Sequence, residues 1–326
     1  MGGLGGPAGP TGPAGPTGPP GSTTSGPLVA GVYLVNKTFV NGLGNNLVWD
    51  VYDGGQFLAA GTVGGVSISD DGGGTFTNYT IADGLGSNQV YSVYVDGSTV
   101  YAATTNGVSV SVWGNPGFVF NNSINGLPST YVQGVYAIGS TVYAATTGGV
   151  AVSLDGGQTY NPYLTNNYVF KVSAVGDGGP QTVVYAATAT GLGVSLDNGR
   201  TYTVKTTADG LVGNFVDGVY ATGSTVYAAT SGGVSISSDY GQSFTNFSLP
   251  GGNAVIGVYP VGNTIYMATP NGLVVTTNGG TTFTNYTVPN GLGSNYCEGV
   301  YVWNDPGYRT TVYVATHGGL SIATPS

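Results

Sequence analysis

Seven times along this chain of 326 residues, a short apolar strand runs into a glycine turn and returns as a second strand. The copy VYAATTGGVAVSLDGGQTY, from Val142 to Tyr160, shows the pattern. Val142 to Thr146 alternates in the period-two manner of a half-buried strand. Gly148 and Gly149 supply the backbone freedom of a tight hairpin, and Val150 to Leu154 returns. Ser153, Asp155, Gly157, Thr159 and Tyr160 then form a self-supporting turn, because an Asp side chain bonds backbone N–H groups nearby and Gly tolerates positive φ. With Leu58, Tyr101, Tyr143, Tyr185, Tyr227, Tyr266 and Tyr313 taken as equivalent, the spacings are 43, 42, 42, 42, 39 and 47 residues. A period near forty with four strand-like runs per period marks a β-propeller. The expected body is therefore all-β, with seven four-stranded antiparallel blades over residues 28–326.

Each period also carries an inner strand before the hairpin, such as Val90–Tyr94, Val132–Tyr136, Val216–Tyr220 and Val255–Tyr259. Gly134, Gly218, Gly257 and Gly299 recur there at matching positions, as a crowded central channel requires. The recurring Tyr94, Tyr136, Tyr220, Tyr259 and Tyr301 read as core or blade–blade packing. Ring closure is legible too. The seventh unit stops after its third strand, whereas residues 28–40 form a strand-like run with no earlier part of a blade. This run is expected to complete the last blade beside Leu320–Ala323 and remove an open edge. A neighbouring copy supplying the same strand is the alternative.

Residues 1–27 are expected to form a separate stalk and hinge, with its core at 6–21. Gly6, Gly9, Gly12, Gly15, Gly18 and Gly21 frame five Gly-X-Y triplets with Pro at every X position. Three polyproline-II chains need Gly at every third residue because nothing larger fits at the shared axis. The segment resembles the collagen-like stretches of bacterial and phage surface proteins. It would span roughly 50 Å at about 3.1 Å per residue. A stiff proline-rich linker is the plainer reading.

Charged residues are 6 % of the chain, against roughly 25 % in ordinary soluble domains. So bare a surface suits a subunit packed into an ordered assembly. The net charge is −9, and Lys37, Lys171, Lys205, Arg200 and Arg309 are scattered. No phosphate-tracking patch is available, which argues against nucleic acid. Cys297 and His317 are each the single residue of their kind, so no disulfide framework or zinc site is expected. No apolar run of about twenty residues reads as a membrane span, and the residues after Met1 do not read as a signal peptide.

A second motif has the form Ser-x-Asp-x-Gly-x-Thr-aromatic. Its copies are Ser69, Asp71, Gly73, Thr75, Phe76; Ser153, Asp155, Gly157, Thr159, Tyr160; Ser195, Asp197, Gly199, Thr201, Tyr202; and Ser237, Asp239, Gly241, Ser243, Phe244. Thr276, Asn278, Gly280, Thr282 and Phe283 form a weaker copy, and the second unit, from Ser111 to Phe118, has lost the Asp. The pattern resembles the Asp-box (BNR) repeat of sialidase-like propellers. The Gly-Leu links at Gly84–Asn88, Gly126–Thr130 and Gly291–Asn295 are similar to links in the propellers of bacterial two-component sensors. These resemblances imply a fold, and fold alone does not give function. Sialidase chemistry would imply an arginine triad, a Tyr/Glu nucleophile pair and an Asp acid. Arg200 and Arg309 are the only arginines, and Glu298 is the only glutamate. No catalytic residue, cofactor or metal is expected, and the Asp of each turn is assigned a structural role.

The expected function is that of an extracellular structural subunit. Copies would self-associate through the Gly-X-Y segment, as a trimer or a helical filament, and display the propeller on a cell, spore or virion surface. The alternative is an adhesin for surface glycans. Its candidate ligand residues are Trp113 and Trp303, which lie in the repeat-breaking inserts WGNPGF and WNDPGY. A glycoside hydrolase is the least favoured reading. Sequons at Asn36, Asn78, Asn121, Asn246 and Asn285 carry weight only on a eukaryotic secretory route.

Overall fold

The computed structural model describes residues 34–114, 117–304 and 310–323. The Gly-X-Y segment, residues 28–33, Arg309 and most of the WNDPGY insert lie outside the described residues. Seven four-stranded sheets follow one another around a ring. Blade 1 is representative, with strands Val48–Asp53, Leu58–Thr62, Gly65–Ser69 and Thr77–Tyr79 paired antiparallel in that order.

The innermost strands of blades 1 to 7 are Val48–Asp53, Val90–Asp96, Val132–Ile138, Val169–Val175, Val216–Thr222, Gly257–Val261 and Cys297–Asn304. Each is followed by a hairpin whose turn is fastened in the same way. A buried Thr at the end of the second strand donates its hydroxyl to the carbonyl of the Gly three residues on. This occurs at Thr62, Thr104, Thr146, Thr188, Thr230, Thr269 and Thr316, at 2.7–3.0 Å. At Gly149, φ is +138°, and a Cβ would sit 2.8 Å from the carbonyl oxygen of Tyr163.

No single centre holds the core. Seven apolar clusters lie in the seams between adjacent blades. The seam between blades 2 and 3, for example, packs Tyr101, Ala103 and Val108 against Val132, Val135, Val142 and Ala144. Small alanines in the second strand let the sheets approach, and burial of the flanking Val and Tyr side chains supplies the driving force.

Ring closure is made within the chain. Leu34–Lys37 pairs antiparallel with Gly319–Ala323, with Leu34 opposite Ala323 and Lys37 opposite Leu320. Asn36 there acts as outer-strand asparagines do elsewhere. Its amide donates to the Gly318 carbonyl at 2.8 Å, as the Asn78 amide donates to Gly64 at 2.9 Å. The closing strand ends at Lys37, before the end of the 28–40 run. Thr38 leaves the sheet to cap a 3-10 turn at Phe39–Asn41.

The Gly-Leu links have a clear physical basis. In the links that lead into blades 1, 2, 5 and 7 a Thr–Asp or Thr–Asn capping box closes a 3-10 turn just before the glycine. Gly84 then takes φ +97°, where a Cβ would fall 2.0 Å from the Phe120 carbonyl oxygen. The next residue drops into the seam: Leu43, Leu85, Leu211 and Leu292 are all buried.

Candidate functional site

The repeated acidic turns are closed systems. In blade 1 the Ser69 hydroxyl donates to Asp71 at 2.7 Å and accepts from the Gly73 N–H at 2.8 Å. The Thr75 hydroxyl and N–H donate to Asp71 at 2.8 and 3.0 Å. Ser153/Asp155/Gly157/Thr159, Ser195/Asp197/Gly199/Thr201 and Ser237/Asp239/Gly241/Ser243 repeat these bonds within 0.2 Å of the same lengths. In blade 6, Asn278 replaces the carboxylate and uses its amide to donate to Thr282 at 2.9 Å. The hydrogen bond from Ser69 holds the Asp71 carboxyl down at about 2. Each carboxylate is occupied by donors of its own turn. In the second unit Ser111 turns its hydroxyl to the Val119 carbonyl at 2.8 Å, and Phe120 takes the aromatic place.

The two insert tryptophans flank the turn between the first two strands of blade 1. Trp113 packs on Phe57 and Phe118, with ring centroids 5.2 and 5.1 Å away. The Trp303 ring lies over Gly55, where a Cβ would come within 2.9 Å. Trp113 is 44 % exposed, while Trp303 packs against an apolar seam. Neither lines the central cavity.

That cavity, of about 290 Å³, runs along the axis where the innermost strands converge. Its composition follows from one backbone irregularity. In blades 1 to 5 and 7 the pairing shifts by one residue near the start of the innermost strand, as between Val48 and Asp50. The extra residue in each bulge is Trp49, Tyr91, Gln133, Phe170, Asp217 or Glu298. A bulge re-aims its unpaired residue, and these six all line the cavity.

The next position carries Gly134, Gly218, Gly257 and Gly299 in four blades. At Gly218 a Cβ would lie 2.4 Å from the Ile256 carbonyl oxygen, so the neighbouring strand forbids any side chain. In blades 1, 2 and 4 the same position holds Asp50, Ser92 and Lys171. These three meet across the channel. The Lys171 ammonium lies 2.7 Å from Asp50 Oδ2 and 3.3 Å from Ser92 Oγ, and the Ser92 hydroxyl donates to Asp50 at 2.6 Å.

Three residues beyond each bulge residue comes a tyrosine girdle. Tyr136, Tyr94, Tyr52, Tyr301, Tyr259 and Tyr220 form one continuous arc with neighbouring centroids 4.5–4.9 Å apart. Blade 4 breaks the arc with Ser173, whose hydroxyl accepts from the Ala221 N–H at 3.1 Å. Burial raises the pKa of each girdle tyrosine that shifts, so these hydroxyls stay protonated.

The opposite end is a rim of aromatic rings. Tyr296 stacks on His317 at 4.3 Å, His317 meets Trp49 at 5.9 Å, Trp49 meets Tyr91 at 5.2 Å and Tyr91 meets Tyr131 at 5.3 Å. The Tyr91 and Tyr131 hydroxyls are hydrogen-bonded to each other. Gln133 donates to the Tyr168 hydroxyl at 3.2 Å, and Tyr168, Phe170 and Phe215 continue the rim at 4.7 and 5.0 Å. The collar is open at blade 6, where Ile256 stands.

Two carboxyl groups flank that opening, Asp217 from blade 5 and Glu298 from blade 7. Glu298 Oε1 lies 2.6 Å from His317 Nε2. Burial pushes Glu298 upward despite that contact, and burial together with the nearby Glu298 pushes Asp217 up to about 7. Asp217 has no hydrogen-bond or ion-pair partner among the described residues. The Lys171–Asp50 ion pair and the His317–Glu298 contact both belong to this cavity. The sequence reading did not assemble this set. The signal available was the aligned innermost strands, where Asp50, Ser92 and Lys171 interrupt a column of glycines.

No protein-family model matches the chain. No curated protein matches it either. Solved structures do share its fold. Two are extracellular domains assigned to hybrid two-component systems of B. thetaiotaomicron. One aligns with a TM-score of 0.70 at 17 % identity, covering 90 % of this chain and 42 % of that one. The other gives 0.69 at 16 %, covering 89 % and 39 %. YCF48 bound to D1 peptide gives 0.66 at 13 %, covering 90 % and 97 %. The chain thus spans about two fifths of the length of the two sensor domains. At such identities the likeness is one of fold. Among the described residues no helix is long and apolar enough to cross a membrane.

Proposed function

We propose that this chain is a surface-displayed recognition propeller, carried on a Gly-X-Y stalk through which copies associate into a fibre, and that it binds a small ligand at the rimmed end of its central cavity. One observation carries the reading. The blades keep nearly identical hairpins and seams but diverge at the bulge residue and the residue after it, the two positions that face the mouth. A building block with no ligand has no physical reason to place Trp49, Tyr91, Phe170, Asp217 and Glu298 where a repeat of small residues would do. Concave sites with aromatic walls and a few polar groups suit small ligands, and about 290 Å³ lies at the lower end of that class.

The test is a glycan and small-metabolite array probed with the whole protein and with Trp49→Ala and Tyr91→Ala variants. Retained folding with signal lost in both variants is the expected result. Signal that survives both but disappears in Trp113→Ala would move the site to the insert face. For the stalk, electron microscopy of the protein with and without residues 1–27 decides. Filaments in both preparations, or in neither, would remove the fibre half of the reading.

A second reading, glycoside hydrolysis, rests on Asp217 and Glu298 sharing one cavity, with one carboxyl near neutrality at pH 7. Turnover of any glycoside in a panel, abolished by Asp217→Asn, would establish it in place of simple binding.

A further inference from the structure

We propose that the mouth of the cavity selects an organic cation, an alkylammonium head group, over neutral molecules of the same shape. This rests on the reading that the mouth is a ligand site, and it names the chemistry of the ligand.

Three features of the mouth converge on that charge. The first is the collar itself. Trp49, Tyr91 and Phe170 line the cavity, with Tyr131, Tyr168 and Phe215 packed against them, and the negative faces of such rings attract ammonium groups. The second is the charge balance of the lining. Lys171 is the one cation of full charge there, and Asp50 neutralises it at 2.7 Å. Asp217 and Glu298 remain, with His317 against Glu298 at 2.6 Å, so the mouth carries net negative charge once the acids ionise. The third is the unspent capacity of Asp217. Its carboxyl lines the cavity, beside the one gap in the aromatic wall, and no donor among the described residues meets it.

An ammonium group lying in the collar would face the rings on one side and Asp217 on the other. A neutral ligand would leave that carboxyl buried and unpaired, a state that charge burial penalises. A carboxylate or phosphate ligand would meet Asp217 and Glu298 as like charges.

The charged and ionisable groups around the bound cation are Asp217 and Glu298, His317 beside Glu298, and the Asp50–Lys171 pair next to the Glu298 strand, where a Cβ on Gly299 would lie 3.4 Å from Asp50 Oδ1. Burial keeps the girdle residues Tyr52, Tyr94 and Tyr301 protonated across the usable range. Raising the pH from 5 to 8 carries Asp217 through its value of about 7 and ionises it. Affinity for the cation is therefore expected to rise over that interval, with its midpoint near the Asp217 value of about 7.

Isothermal titration of the full chain decides the matter with two matched pairs of probes. Choline is set against its neutral isostere 3,3-dimethyl-1-butanol, and glucosamine against glucose. The choline arm tests a quaternary head group and the glucosamine arm an amino sugar. In at least one pair the cation is expected to bind ten-fold or more tightly than its neutral partner. Asp217→Asn/Glu298→Gln should remove that margin, and Trp49→Leu should weaken the cation alone. Equal binding of cation and neutral partner would overturn the inference and leave the mouth as a site for neutral ligands. No heat with either cation at millimolar concentration would also overturn it, whereas the array with Trp49→Ala judges the mouth independently. Cation binding unchanged in both variants would place the charge selection elsewhere and overturn it as well.

Discussion

Asp217 and the turn aspartates are the same residue type under opposite physics, and they are expected to respond to pH in opposite directions. Asp71, Asp155, Asp197 and Asp239 accept bonds from their own turns and are held below the usual carboxylate range. A depressed folded-state value means that their contribution is complete above about pH 4, the unfolded value, and is lost as pH falls toward 2. Blade 6 offers a natural counterpart, since Asn278 holds the same turn without a charge. Asn278→Asp is expected to raise the melting temperature by a few degrees at pH 7 and to have lost that gain by pH 2, read by circular dichroism. Asp217 is raised instead, to about 7, so its ionisation opposes folding. Its neutral form favours the folded state below about pH 4, and that advantage is lost as pH climbs through 7. Asp217→Asn is therefore expected to stabilise the protein at pH 8, by roughly 1–2 kcal/mol after allowing for the solvent that reaches the side chain. At pH 4 it should change little. Equal effects at both pH values would show that Asp217 is paired in solution. The sequons also read differently once the side chains are seen. The amides of Asn36, Asn78, Asn246 and Asn285 each donate to a backbone carbonyl at 2.8–3.2 Å, so the atom a glycan would need is part of the fold.

Among the elements, the Gly-Leu link separates two kinds of cost. Gly84 is fixed by conformation and contact, because φ is +97° and a Cβ would strike the Phe120 carbonyl at 2.0 Å. Leu85 is fixed by burial in the seam between blades 1 and 2. Leu85→Ala is expected to cost about 2–5 kcal/mol through the cavity left behind. Gly84→Ala should cost at least about 1–2 kcal/mol from the left-handed conformation alone. Chemical denaturation checks both, and the two should add, since one strains the backbone and the other empties the seam. A sum far below the separate effects would mean that the strained link lifts the leucine out. Elements of this kind were readable in advance because they recur: link, hairpin and acidic turn each return with the same residues at one period. The mouth did not recur, and that is why it escaped. Its residues come one from each blade, about forty positions apart, and only ring closure brings Asp50 of blade 1 to Lys171 of blade 4. Read alone, each is a single unrepeated residue in an inner strand. Trp113 and Trp303 drew notice because they broke the repeat, yet both are engaged in packing around the blade 1 turn.

At the scale of the whole molecule, stability depends on a four-residue strand. A ring of blades keeps only short outer edges while its last blade is complete, and here Leu34–Lys37 completes blade 7 from the opposite end of the chain. Leu34 itself is buried in the seam between blades 6 and 7, packed with Tyr286 and Leu292. Removing residues 1–33 leaves these contacts intact, whereas removing residues 1–37 takes away the strand, its ladder and the buried leucine together. The second truncation is expected to lose at least the 2–5 kcal/mol of a large buried side chain, and with it several degrees of melting temperature. It also exposes Gly319–Ala323 as an unpaired edge. That edge can be filled from outside, so a synthetic peptide of residues 28–40, added in excess, should restore the melting temperature of the truncated protein in a concentration-dependent way. A peptide with Leu34 replaced by Asp should not. If both truncations melt alike, the closing strand contributes nothing and the ring is held by its seams alone. If only the longer one forms concentration-dependent oligomers on size exclusion, the open edge is recruiting other chains, and the strand that closes the ring is also what keeps neighbouring propellers separate.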